Sequence, residues 1–222
     1  MIRKLACGWA TGLVLAGHAG AVTVIDFDNL PAGTVLNSQY AAQGVTFVAN
    51  AFSGPGNSGS GQSWAPNSDM TLASVTGGNN EVGDLGTPSL VGGNVLHRFG
   101  GWTRENGDPS FRIDFSTPVS SVSLTFAGLA GAQFAPHSRL FIYDGAVLLT
   151  TLAASLPNAN TGQLTLSYAA AHITHVAVAP GSYNDWVAVD NLVFAPVPEP
   201  GPLALMALGL GVLAHARRRS AR

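Results

Sequence analysis

Residues 111–127 read Phe-Arg-Ile-Asp-Phe-Ser-Thr-Pro-Val-Ser-Ser-Val-Ser-Leu-Thr-Phe-Ala, and apolar side chains alternate with polar ones along most of this stretch. Successive side chains of a β-strand point to opposite faces of the sheet, so a period of two is typical of a half-buried strand. The stretch therefore predicts two strands, 111–115 and 119–127, each with one apolar face. The apolar positions are Phe111, Ile113, Phe115, Val122, Leu124 and Phe126.

Similar short runs extend in both directions from this stretch. They are separated by Gly, Pro, Asn, Asp and Ser, and no long helical periodicity occurs between residues 22 and 195. About ten strands with turns at this spacing predict an all-β fold, an antiparallel β-sandwich of the jelly-roll type. Asp144-Gly145 is predicted to be a two-residue hairpin turn. The candidate strands are 22–27, 45–49, 70–74, 95–99, 111–115, 119–127, 139–143, 146–151, 164–168, 173–179 and 186–194.

The first 21 residues have the pattern of a cleaved signal peptide. A basic start at Arg3 and Lys4 precedes an apolar stretch from Leu5 to about Leu15, and small residues follow it. We predict a signal helix over residues 1–21 and cleavage by signal peptidase after Ala21, with Ala19 as the alternative. A permanent N-terminal anchor fits less well because the apolar run is too short to span a bilayer.

The last 27 residues have a different composition from the rest of the chain. A proline-rich linker contains Val197-Pro198-Glu199-Pro200, an apolar run of about fourteen residues follows it, and the basic cluster Arg217-Arg218-Arg219 comes next. The alternation of proline excludes helix and sheet in the linker. The apolar run is predicted to be a short transmembrane helix with its basic end in the cytoplasm. We assign residues 22–195 to a β-sandwich ectodomain and 196–222 to a sorting tail.

This three-part tail resembles the PEP-CTERM sorting signal of Gram-negative bacteria. The resemblance implies recognition and processing by an exosortase, a membrane protease. It also implies an anchor in the inner membrane before processing and a final place at the cell surface or outside the cell, often in species that make exopolysaccharide.

Charge and cysteine content exclude several classes of function. The whole chain has a net charge of −2, but residues 22–195 carry four arginines against eleven acidic residues, about −7. No basic patch is available to neutralise phosphates, so we expect no nucleic-acid binding. The single cysteine, Cys7, lies in the predicted signal, so the mature protein has no disulfide, thiolate metal site or cysteine nucleophile.

The final strand raises a question of phase at Asp190. Either Trp186, Ala188 and Asp190 share the buried face, or Val187 and Val189 do and the alternation reverses at Asp190-Asn191 through a β-bulge. A buried carboxylate needs hydrogen-bond partners or a metal ion in either case.

The opening at 25–31 and the close at 189–194 are similar to those of PEP-CTERM ectodomains, which resemble galactose-binding-like jelly rolls. This resemblance implies a structural Ca²⁺ ion between the first and last strands, with Asp26, Asp28 and Asp190 as candidate ligands. The alternative is that Asp190 binds backbone amides while Asp26 and Asp28 face solvent. His172 and His175 are predicted to lie on opposite faces of a strand, which excludes a shared zinc ion.

Long loops rich in Gly, Ser and Asn supply the remaining candidates. Trp64 and Trp102 are candidate platforms for stacking on sugar rings. We therefore expect a non-enzymatic surface or matrix protein that associates with polysaccharide. The alternative is a secreted carbohydrate-active enzyme that uses the loop carboxylates Asp84, Glu105 and Asp108.

Overall fold

The computed structural model describes residues 21–49, 70–75, 91–96, 110–129, 138–156, 162–180 and 186–197, and the single residues 210, 217 and 219. Residues 21–197 form one compact unit, and residues 1–20 and 198–222 belong to a second. All of the strands and both clusters of buried apolar side chains among the described residues lie in the first unit.

The described part of the chain forms nine β-strands and one short 3-10 helix, Ala41–Gln43. The strands are β1 (Thr23–Ile25), β2 (Val45–Ala49), β3 (Leu72–Ser74), β4 (Asn94–Leu96), β5 (Phe111–Leu129), β6 (Ser138–Asp144), β7 (Val147–Ala154), β8 (Gly162–Pro180) and β9 (Trp186–Pro196).

The strands form a single antiparallel sheet in the order β3-β4-β9-β5-β8-β6-β7. β1 pairs with β9, and β2 pairs with β5. The prediction of an all-β, antiparallel fold is therefore confirmed.

β5 and β8 are longer than the sequence pattern suggested. Residues 111–115 and 119–127 belong to one strand, and so do 164–168 and 173–179. The pairing of β5 with β8 changes register between Asp114 and Val119 and again before Ser121. Pro118 therefore lies at an irregularity of a continuous strand, a position that tolerates its missing amide hydrogen. The predicted gap between residues 115 and 119 was wrong for this reason.

The irregularity in β5 divides the sheet into two parts. Residues 111–115 pair with β2, whereas residues 119–129 pair with β9 on the same side of the strand. Side chains from the two parts pack together: Phe115 contacts Phe194 with ring centroids 5.2 Å apart, and Phe27 contacts Phe47 at 5.9 Å. This packing around one apolar core is consistent with a β-sandwich, in which bent strands pass from one layer to the other.

The hairpin between β6 and β7 lies one residue later than predicted. Asp144 pairs with Val147, so Gly145 and Ala146 form the two-residue turn. Gly145 has φ of 54°, the left-handed conformation that glycine adopts at little cost.

The predicted signal helix lies outside the described residues. So does most of the predicted C-terminal helix, of which Leu210 has helical conformation, as do Arg217 and Arg219 in the basic cluster after it. In the described part of the chain, no helix has the length and apolar character needed to cross a membrane.

Candidate functional site

A β-bulge in β9 creates the environment of Asp190. Asp190 is opposite Thr125 on β5, while Val193 is opposite Ser123, so β9 has one extra residue between these pairs. Asn191 supplies it with φ of 50°, in the left-handed region. Val187, Val189, Leu192 and Phe194 all belong to the main core. The second of the two predicted phases, with a reversal at Asp190-Asn191, is the one observed.

The Asp190 carboxylate is almost completely buried, with 1% of the residue exposed. Its Oδ1 accepts a hydrogen bond of 2.6 Å from the backbone amide of Asn191. Its Oδ2 accepts bonds of 3.2 Å from the backbone amide of Gly92 and from Nδ2 of Asn191. Burial raises the pKa of Asp190 to about 7 despite these bonds, and the nearby carboxylates of Asp28 and Asp26 contribute to the increase.

Asp26 and Asp28 are exposed residues on either side of buried Phe27. Phe27 has φ of 62°, so the chain turns sharply directly after β1. The backbone amide of Asp28 donates to Asp26 Oδ1 at 3.2 Å, and that of Asn94 donates to Asp28 Oδ1 at 2.6 Å. The segment before β4 is therefore held by two carboxylates, Asp190 from β9 and Asp28 from the end of β1. We call Asp26, Asp28 and Asp190 the acidic cluster.

The electrostatic field of the acidic cluster reaches Tyr40 in the core. The pKa of the Tyr40 hydroxyl is raised to about 12, chiefly by burial and then, in decreasing order, by the charges of Asp26, Asp28 and Asp190. The hydroxyl donates a 2.6 Å hydrogen bond to Asn29 Oδ1. Three carboxylates, two from the turn after β1 and one from β9, thus act on the same small region of the protein.

Hydrogen bonds already occupy most of the carboxylate oxygens of the acidic cluster that could bind calcium. Both Asp190 oxygens and one oxygen of each partner carboxylate already accept hydrogen bonds. Among the described residues, no group of three or more His, Cys, Asp or Glu side chains is placed to hold one metal ion. The contacts of Asp190 with backbone amides match the metal-free alternative, and calcium binding stays a prediction.

A second group of polar side chains lies on the outer face of the sheet, and we call it the outer row: Arg112, Asp114, Tyr143 and His175. Asp114 on β5 is opposite His175 on β8, which is opposite Tyr143 on β6. The rings of Tyr143 and His175 are stacked, with centroids 4.6 Å apart and planes 7° apart. Arg112 binds Asp114 through both carboxylate oxygens, at 2.6 and 2.8 Å. Burial and the charge of Arg112 lower the pKa of His175, which favours the neutral imidazole.

The two histidines of β8 do not lie on opposite faces as predicted. Ile173 and Val176 are both completely buried although they are three residues apart, so the alternation of β8 changes phase between them. His172 and His175 therefore both face outward but have different neighbours. His172 Nδ1 lies 2.6 Å from Asp144 Oδ1, at the hairpin turn.

A shallow groove of about 400 Å³ lies elsewhere on the sheet, between β9, β5 and β8. Hydroxyl groups and small side chains line it. The lining residues are Ser121, Val122, Ser123, Ser167, Tyr168, Ala169 and Val193.

Several predicted residues lie outside the part of the chain that the structure describes. These are the two candidate stacking residues, the three loop carboxylates, the motif from Pro198 and one arginine of the basic cluster: Trp64, Trp102, Asp84, Glu105, Asp108, Pro198, Glu199, Pro200 and Arg218. Val197 directly follows β9, and its amide lies 3.5 Å from the carbonyl oxygen of Pro118.

Sequence reasoning found Asp190 and, as one alternative, backbone amides as its partners, but it did not identify Gly92 as a donor and it missed the outer row. Asp114 and His175 are 61 positions apart in the chain, and only the order of the strands brings them together. The alternation of Arg112 and Asp114 with Phe111 and Ile113 was the available signal, because it placed both charges on the outer face.

The comparisons with known proteins found distant structural likenesses only. No family model matches the chain, and no curated protein matches it. The chain is similar to the Stig cyclase Fisc from Fischerella sp. TAU at 16% identity and a TM-score of 0.37, over 70% of this chain and 86% of that one. It is also similar to the K1 cleaved adhesin domain of Lys-gingipain from Porphyromonas gingivalis W83, at 13% identity and a TM-score of 0.40, over 80% of this chain and 99% of that one. Another cyclase from Fischerella sp. TAU matches at 15% identity and a TM-score of 0.38, over 81% of this chain and 100% of that one. Likenesses this distant assign no activity, so the absence of catalysis stays a prediction.

Proposed function

We propose that this chain is an exported substrate of an exosortase, and that its β-domain acts without catalysis at the cell surface or in the extracellular matrix. The observation that carries the proposal is the order of elements after residue 196. A Pro-Glu-Pro motif, a short apolar run and an arginine cluster follow one another in the last 26 residues. The apolar run holds the chain in the inner membrane until the protease acts near the motif.

The β-domain supports this proposal through its chemistry. Residues 22–195 contain no cysteine and no lysine and are acidic, so the domain is held by its apolar core and needs no disulfide after export. Its last strand, β9, ends at Pro196, directly before the motif. We also propose that the sandwich is of the galactose-binding-like jelly-roll type. The long bent strands and the two packed parts of the sheet favour this type over an open sheet.

Association with polysaccharide is the part of the proposal that concerns a ligand. The outer row offers an ion pair, an aromatic ring and a neutral imidazole at neighbouring positions of three strands. Neutral sugars bind proteins through hydroxyl groups that pair with such polar side chains and through apolar ring faces that contact aromatic rings. The exposed fractions of the Arg112 and Asp114 side chains, 37% and 31%, leave both accessible to a ligand.

The sorting proposal is tested in the native host by replacing Pro198, Glu199 and Pro200 with alanine. We expect the variant to accumulate in the inner-membrane fraction with its tail attached, as the unchanged protein does in a strain without exosortase. Pro202→Ala, in the same linker but outside the motif, is the matched control and is expected to be sorted normally. Normal release of the triple-alanine variant would refute the proposal.

The ligand proposal is tested by binding of the purified protein to the exopolysaccharide of its host. Tyr143→Ala and His175→Ala are expected to reduce binding about tenfold each, since each removes half of the stacked pair. Ser167→Ala, at an exposed position on the other half of β8, is the control. Equal binding by all four proteins would show that the outer row is not the site.

A further inference from the structure

The strand at one end of the described sheet, β7, has an edge that no other described segment covers. β7 pairs with β6 on one side and, among the described residues, with no strand on the other. Its eight residues, Val-Leu-Leu-Thr-Thr-Leu-Ala-Ala, contain no charge and no proline. An edge strand exposes a row of free amide and carbonyl groups, and proteins usually protect such edges by charge, proline, short length or a covering segment.

The other edges of the described sheet have these protections. β1 and β3 contain three residues each. The segment before the 3-10 helix covers β3, because Leu36 donates to the Met70 carbonyl and Leu72 donates to the Thr34 carbonyl, both at 2.8 Å. The same segment reaches β2, where the Phe47 amide donates to the Asn37 carbonyl at 2.7 Å. β7 is therefore the edge at which this fold is open to pairing.

We propose that β7 pairs with β7 of a second copy of this chain, which joins two sheets into one across a twofold axis. The partner is a second copy because residues 22–195 are strongly acidic while β7 is uncharged. Two copies meet at β7 without placing like charges opposite each other. Since the described sheet has one such edge, the assembly closes as an isologous dimer and does not grow into a fibre.

The pattern of burial along β7 restricts the register of this pairing. In the regular part of the strand, Thr150 and Leu152 are partly buried, whereas Thr151 and Ala153 are exposed. A shift of one residue in the pairing would place the core-facing side chains of one copy opposite the exposed side chains of the other. The twofold axis must therefore pass through a residue and not between two residues. An axis at Leu152 places each Leu152 opposite its copy on the core side and each Thr151 opposite Ala153 of the other copy. Leu152 already packs against the main core, so the apolar layer becomes continuous across the interface.

The dimer is tested on residues 21–197, the compact unit that contains all of the described strands and the core. Sedimentation equilibrium up to about 500 µM is expected to show a reversible monomer–dimer equilibrium with a dissociation constant on the order of 10 µM. Thr151→Lys with Ala153→Lys adds charge to exposed positions of β7 and is expected to weaken the dimer at least tenfold. Ser167→Lys with Ala169→Lys adds the same charge to exposed positions of the interior strand β8 and is expected to leave the dissociation constant unchanged.

Amide hydrogen exchange gives a second readout that needs no variant. The exchange of β7 amides is expected to slow as the protein concentration increases, while amides of β3 keep their rates. A protein that stays monomeric at the highest concentration, or a double lysine variant that dimerises as strongly as the unchanged protein, would overturn the proposal.

Discussion

Asp190 shows how one buried carboxylate organises several separate elements. It lies at the bulge of β9, where the strand's partner changes from β4 at Val189 to β1 at Leu192. Its bond to the Gly92 amide fastens the chain before β4, and Asp28 fastens the same segment through Asn94. The side chain therefore stabilises the junction of β1, β4 and β9 through hydrogen bonds, at the cost of a buried charge.

That cost predicts a pH dependence of folding stability. The pKa of Asp190 rises from its ordinary 3.8 to about 7 on folding, so the folded state holds the proton more tightly than the unfolded state does. The proton on Asp190 therefore contributes at most about 4 kcal/mol to the free energy of unfolding. This contribution is fully present below about pH 4, decreases as the pH rises towards 7 and is lost above pH 7. Unfolding in urea between pH 5 and 8.5, with EDTA present, measures the effect.

Asp190→Asn provides the reference for this measurement because it cannot ionise. The stability of the unchanged protein relative to this variant is expected to fall as the pH rises. A difference that stays constant from pH 5 to 8.5 would contradict the account. Added calcium would remove the pH dependence only if the ion binds the acidic cluster, so the same experiment tests the predicted ligands Asp26, Asp28 and Asp190.

Gly93 is the residue beside this junction that tolerates substitution least. It has φ of 64°, and a Cβ atom there would overlap the carboxylate of Asp28. Gly93→Ala is expected to destabilise the fold by about 2 kcal/mol or more, since it combines a strained backbone with loss of the Asp28–Asn94 bond. Thermal unfolding checks this, with Gly92→Ala as the control because a Cβ atom there meets nothing within 4 Å. Equal losses in both variants would show that the contact with Asp28 is unimportant.

At the scale of elements, the alternation of apolar and polar residues was sufficient to locate the strands but not to show which predicted strands are parts of one continuous strand. β2 has the predicted bounds, and every other described strand overlaps a predicted one. The predicted gaps at 116–118 and 169–172 were wrong because bulges allow a strand to continue through a change of phase. When the alternation of apolar and polar residues changes phase, the pattern predicts the end of the strand. It cannot distinguish such an end from a bulge within a continuous strand unless the partner strand is known.

The hairpin between β6 and β7 provides the prediction at this scale. Gly145 adopts φ of 54° in open space, so only the backbone conformation disfavours a side chain. Gly145→Ala is expected to reduce the free energy of unfolding by about 1 kcal/mol, and Gly145→Asn by less, because asparagine tolerates the left-handed conformation better. Chemical denaturation of the two variants gives the comparison. An alanine variant as stable as the unchanged protein would refute this account of the turn.

For the molecule as a whole, the sequence predicted the all-β, antiparallel fold class, which is confirmed, and an export architecture, which stays a prediction, but it predicted little of the site. The buried position of Asp190 followed from its strand, because apolar residues precede it directly and resume at Leu192, one residue beyond Asn191. The contacts of Asp190 with Gly92, and those of Asp114 with His175, depend on strand order, which local patterns do not contain. The free edge of β7 likewise became visible only when the order of the strands was known.

The most direct test of the proposed function is the intact mass of the protein recovered from each fraction of its native host: the cytoplasm, the inner membrane, the cell surface and the medium. The account predicts a mature chain that begins at Val22 and has lost the apolar run and arginine cluster after the Pro198-Glu199-Pro200 motif. Recovery of the complete 222-residue chain, with Met1 and Arg222 both present and only in the cytoplasm, would contradict it.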